Sequence, residues 1–178
     1  GSLLHIEKYK KLSVWFFFSP AFPLIILDNL LIRRKKKYIL GRAKIFLTYR
    51  MLSTVEIIGS VFYTKHHAKK NKVKQALFLA CPGAHQNIGY QQTFSKSNQI
   101  DEITKHALRS LNINFKIHDF RKGPIGNDEI AYDVGGTNIP CGSLMRAPFN
   151  SYHTDFDTPS GVSWKNFEET ILILQEII

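Results

Sequence analysis

Gln75-Ala76-Leu77-Phe78-Leu79-Ala80-Cys81, closed at once by Pro82-Gly83, is the stretch on which the fold turns. Seven residues with one polar member, ended by a strong backbone breaker, suit a short strand covered on both faces. Strands of that kind belong to sheets with helices on either side. Downstream, Ile88–Thr93 reads as a further strand, and Gln99–Leu111 is an amphipathic helix that Asn112 should stop. Ile113–Asp119 (INFKIHD) alternates like a strand, Arg121–Gly136 is loop-rich, Ile139–Met145 is a short strand, and Ser163–Ile178 is a final helix. That helix takes its apolar side from Trp164, Phe167, Ile171, Leu172 and Leu174. Upstream, Leu12–Phe18 and Ala43–Tyr49 read as strands, and Glu56–Lys70 as a helix with Ile57, Ile58, Val61 and Phe62 apolar and a basic far end. Strands alternating with helices predict an α/β fold, a three-layer sandwich around a mostly parallel central sheet.

The 178 residues suit one domain over positions 1–178. A 44% hydrophobic content with 13 Phe supplies a core and excludes wholesale disorder. Two cysteines, Cys81 and Cys141, are too few for a disulfide scaffold and lack metal-ligand spacing; on apolar strands they read as packed thiols. The chain holds no Gly-x-Ser-x-Gly elbow, phosphate-binding loop or dinucleotide fingerprint. The net charge of +10, with Arg33–Lys37 and Lys65–Lys74 as its densest runs, permits contact with nucleic acid or an anionic surface, and equally suits a solvated lysine-rich surface. Leu12–Ile32 has the length of a membrane span. Pro20 and Pro23 break it, Asp28 charges one end, and both flanks are basic, so it divides into a strand, a turn and a short element from Leu24. The expectation is a cytoplasmic protein without a membrane segment.

Polar residues gather at three places. Ser151–Thr158 (SYHTDFDT) lies between a strand and the last helix. His153 there has the character of a metal ligand oriented by neighbouring carboxylates, while Asp157-Thr158-Pro159 also reads as a plain turn into a helix. Gly126-Asn127-Asp128-Glu129 offers carboxylates in a loop that equally suits a turn. Glu56 stands at a strand-to-helix junction, where it could also serve as helix N-terminal charge compensation. In α/β sheets, functional residues sit on loops beyond the carboxyl ends of strands.

Together these segments acquire a specific likeness. Pro140-Cys141-Gly142-Ser143-Leu144-Met145-Arg146-Ala147-Pro148 followed by Tyr152-His153-Thr154, the upstream Pro124-Ile125-Gly126-Asn127-Asp128-Glu129, and Tyr49-Arg50-Met51-Leu52 with Glu56-Ile57-Ile58-Gly59-Ser60 resemble, in order and spacing, a bacterial aminopeptidase-like family related to the zinc-dependent leucyl-type aminopeptidases. The resemblance runs from about Tyr49 to the C-terminus. It implies zinc held by histidines and carboxylates, with a glutamate as general base. Matched residue by residue, His153 corresponds to the final His ligand, Asp128 to the second Asp ligand and Glu56 to the glutamate region, as catalytic base or ligand. Asp28, in Asp28-Asn29-Leu30, matches the bridging Asp, but no histidine stands where the first ligand should be, and residues 1–48 depart from the pattern. The relatives carry two adjacent glutamates where this chain has Glu56 alone.

The reading is a zinc-dependent hydrolase domain for peptide or amide bonds, weak or inactive as it stands, with one zinc expected rather than two. Whether it is an enzyme at all stays open. The other reading is a non-catalytic binding domain whose basic surface meets nucleic acid or an anionic glycan.

Overall fold

The computed structural model describes residues 13–18, 48–68, 72–124, 126–133, 136–147 and 151–178, with side chains from residue 51 onward. Six strands form one sheet: β1 (Ser13–Phe18), β2 (Thr48–Ser53), β3 (Gln75–Ala80), β4 (Ile88–Gln91), β5 (Phe115–His118) and β6 (Cys141–Arg146), in the spatial order β2-β1-β3-β6-β4-β5. Four of the five pairings are parallel, and β4 meets β6 antiparallel, Ile88 opposite Arg146. The expected mostly parallel sheet is therefore observed.

All six residues of β3 are buried, as its apolar run requires. Its side chains alternate between two cores. Leu77 and Leu79 join Ile88, Tyr90 and Leu144 under helices α2 (Gln99–Ser110) and α4 (Trp164–Ile177), which supply Ile100, Ala107, Leu108, Ile173, Leu174 and Ile177. Ala76, Phe78 and Ala80 join Cys141 and Met145 on the other face. That face is covered by α1 (Ile58–Tyr63), its continuing π-turn Thr64–Ala68, and the four-residue α3 (Glu129–Tyr132). These are the three layers expected. Gly142 is needed on β6 because a Cβ there would fall 2.3 Å from the Tyr90 hydroxyl. Tyr90 in turn donates to Asp101 at 2.9 Å, tying sheet to α2. Asn112 adopts φ 53° just beyond α2, the left-handed stop its position predicts.

Several elements differ from expectation. Ser13–Phe18 is a strand paired on both sides, so Leu12–Ile32 is not one continuous membrane helix; residues 19–32 lie outside the described set. Among the described residues no helix is long and apolar enough to cross a membrane. Of the strand expected at Ala43–Tyr49, the described residues Thr48 and Tyr49 are strand, which runs on to Ser53; residues 43–47 lie outside the description. The helix expected from Glu56 starts at Ile58, because a tight turn holds the preceding residues. It buries Ser60 and Tyr63, while Ile57, Ile58, Val61 and Phe62 face outward, Ile58 at 74% exposure. Likewise α4 buries Thr170 and Ile173, and leaves Trp164 and Leu172 exposed. The loop-rich Arg121–Gly136 contains α3.

Candidate functional site

Strands β1, β2, β3 and β6 are mutually parallel, so their carboxyl ends share one edge of the sheet. Glu56 follows β2, Cys81 follows β3, and residues 151–158 follow β6. Strand β5 runs the opposite way, and Asp128 reaches the same region only because the segment after β5 returns across the sheet to form α3.

The turn carrying Glu56 is unusual. The Ile58 N–H donates to the Glu56 carbonyl at 2.5 Å, and Ile57 between them has φ 55° and ψ −59°. This is a γ-turn of the rare positive-φ kind, with a β-branched residue at its centre. Asp128, 4% exposed, reaches it from across the fold: its Oδ1 accepts the Ile57 N–H at 3.1 Å and the Ser60 hydroxyl. Its neighbour Asn127 donates its side-chain amide to the Glu56 carboxylate. Glu129, fully buried, anchors this pair from below, accepting the Asn127 N–H and the Gln91 amide, each at 2.9 Å. Gly59 lets α1 start against β2, since a Cβ there would lie 1.7 Å from the Thr54 hydroxyl.

Burial raises the Asp128 carboxyl above its ordinary 3.8, the Glu56 charge adds to the rise, and the two donated hydrogen bonds oppose it. Cys81, at φ 51°, has its thiol pushed up to about 11, by burial first, then by the carboxylates of Asp157 and Glu56. The Tyr152 phenol is raised by burial and by Glu56, Cys81 and Asp157. Glu56, Asp128, Asp157, Cys81 and Tyr152 thus share one electrostatic neighbourhood. His153 sits on an exposed turn at φ 59° with its ring stacked on Tyr152, centroids 3.9 Å apart.

The structure brings Glu56 and Asp128 together, through Asn127 and the Ile57 N–H, while the described contact of His153 is the stacking of its ring on Tyr152; Asp28 lies outside the described residues. Among the described residues no three or more His, Cys, Asp or Glu side chains group so as to hold a metal ion. A catalytic zinc takes three protein ligands and an open position. With fewer than three such side chains grouped, the described donors by themselves do not fit zinc. His66 and His67 lie exposed on the π-turn with their rings against Phe62 and Tyr63. Sequence reasoning gave no site role to Cys81, Asn127 or Tyr152. The signals present were the Cys81-Pro82-Gly83 strand ending and the immediate adjacency of Asn127 and Tyr152 to residues already singled out.

The layered α/β fold is shared with several solved peptidases. A crystal structure described as a "putative peptidase" of Clostridium acetobutylicum superposes with a TM-score of 0.72 at 23% identity, covering 94% of this chain and 40% of that one. The zinc aminopeptidase of Bacillus subtilis superposes with a TM-score of 0.66 at 12% identity, covering 94% of this chain and 45% of that one. What these likenesses show is a shared fold, that of aminopeptidase-like domains. Residues 30–178 match the family described as Domain of unknown function (DUF4910), and the chain belongs to that family. A relative from Clostridium acetobutylicum, "Putative polysaccharide biosynthesis protein with aminopeptidase-like domain", is 33% identical over 121 residues, covering 66% of this chain and 27% of the relative. The chain thus spans about a quarter of that curated relative and less than half of either solved structure.

Proposed function

We propose that the carboxyl edge of β2, β3 and β6 is the substrate site of a hydrolase domain for peptide or amide bonds, with Glu56 as its general base. The observation that carries this is the placement of Glu56, an exposed carboxylate on a stiff turn, oriented by Asn127 and facing the segments that follow β3 and β6. Such a carboxylate can take a proton from a water attacking a carbonyl carbon. Glu56, Asp128 and Asp157 also make a local negative field in a chain of net charge +10, and a cationic amino terminus is drawn to such a field. The aminopeptidase-like architecture and the likeness of the motifs support a peptide or amide substrate.

In zinc-dependent relatives the metal supplies an activated water. Here that chemistry needs a donor beyond the described residues, and Asp28 is the sequence's candidate. The expected outcome is at most one zinc per chain by elemental analysis of protein purified without chelator. Turnover of aminoacyl-anilide substrates should be weak and should fall by about 10²–10⁴ in Glu56→Gln. Turnover that Glu56→Gln leaves unchanged would overturn the assignment of the base; two tightly held zinc ions would overturn the expected stoichiometry.

A further inference from the structure

We propose that Asp128 is a positioning residue, whose work is to hold the Glu56 turn in its high-energy γ conformation. The proposal rests on the reading of Glu56 as the working carboxylate and gives Asp128 a different task from the ligand role that its sequence motif implies. A β-branched residue at φ 55° is strained and persists only where surrounding structure enforces it. Two contacts enforce it. One buried oxygen, Asp128 Oδ1, takes both the Ile57 N–H and the hydroxyl of Ser60, one turn further on. Those two donors lie on either side of the turn's exit into α1, so a single acceptor fixes the direction in which the chain leaves β2.

Without that acceptor, Ile57 would relax to negative φ, and Glu56 would rotate away from Asn127 and from the ends of β3 and β6. Asn127 is adjacent to Asp128 and binds the Glu56 carboxylate itself. One dipeptide therefore sets both the backbone and the side chain of Glu56. It is in turn held by Glu129, whose carboxylate is tied to Gln91 on β4. The line runs from the sheet to the turn through hydrogen bonds alone. Asp128 Oδ1 thus carries two structural hydrogen bonds, one of them from a backbone amide.

The test compares the full chain with Asp128→Ala and Asp128→Asn by amide hydrogen exchange at Ile57. Asn keeps an acceptor oxygen at the same place, so its Ile57 amide should exchange within about threefold of the unsubstituted rate. Asp128→Ala should exchange at least about tenfold faster, a local opening that leaves protection in β3 and α2 unchanged. Where turnover is measurable, Asp128→Ala should lower kcat by up to about a hundredfold with KM unchanged, and Asn should restore most of it. Zinc added alone should bind the unsubstituted chain and Asp128→Ala with the same affinity. Ile57 exchange that is equal in all three proteins would overturn the proposal, as would a tenfold or larger loss of zinc affinity in Asp128→Ala. If Asp128→Ala does not fold, an Asn variant whose Ile57 amide exchanges freely overturns it on its own. Absence of turnover bears on the base at Glu56, whereas the exchange data bear on Asp128, so the two readings fail separately.

Discussion

At the level of single residues, Cys81 reports most directly on the site. It stands at a strand end with φ 51°, its thiol raised to about 11 by burial and by the charges of Asp157 and Glu56, in that order. Against an ordinary thiol at 9.0, that leaves about a hundredfold less thiolate at pH 8. Alkylation of Cys81 should therefore be slow at pH 8 and accelerate only as pH climbs toward 11. Removing either negative charge lowers the thiol's pKa, so Asp157→Asn should speed labelling more than Glu56→Gln. Labelling followed by mass spectrometry decides the point, and rates unmoved by both substitutions would remove Glu56 and Asp157 from the neighbourhood of the thiol. Cys141, fully buried on β6, should stay unlabelled until the protein unfolds. Sequence alone assigned both cysteines to packing. That holds for Cys141 and also for Cys81, which packs half-buried against the same core; what no periodicity predicts is the pair of charges near a residue one step past its strand.

Among the elements, the join between β6 and α4 depends on a buried guanidinium. Arg146, 3% exposed, donates to the Gln86 carbonyl at 2.9 Å, to the Asn166 carbonyl at 3.2 Å and to the half-exposed Glu169. Truncation would strand two carbonyls and open a cavity, so Arg146→Ala should cost about 2–4 kcal/mol. Glu169→Gln keeps an acceptor and gives up only a partly screened charge, so it should cost about 1 kcal/mol or less. Denaturant titration separates the two, and equal losses would show that the ion pair, rather than the carbonyl contacts, holds α4 down. Helix faces were the least legible part of the fold. Ile58, Val61 and Phe62 made an apolar set on α1, yet Ser60 and Tyr63 are the residues it buries. Ser60 turns inward because Asp128 waits there for its hydroxyl, and hydropathy carries no record of that partner.

Over the molecule as a whole, one buried and one half-buried carboxylate, Asp128 and Asp133, shape the dependence of stability on pH. Burial raises Asp128 and Asp133 above 3.8. Below that value both groups are protonated whether the chain is folded or not, and neither contributes. As pH climbs past 3.8 the unfolded chain ionises first, so the folded state loses ground until pH passes the raised folded values. Asp133→Asn keeps an acceptor for the Phe94 and Cys141 N–H groups, so it should flatten that decline above pH 3.8. Unfolding free energies of the two proteins measured across this range should therefore diverge; a difference that stays constant with pH would refute the assignment for Asp133. The alternation of strands and helices was readable in advance because burial on both faces leaves apolar runs such as residues 75–80, and turn chemistry marks their ends. The strand order, the reversed β4 and the meeting of Asp128 with Ile57, 71 residues apart in the chain, were not. Local pattern records how deeply a residue is buried, while which partner it meets there depends on how the whole chain winds through the sheet.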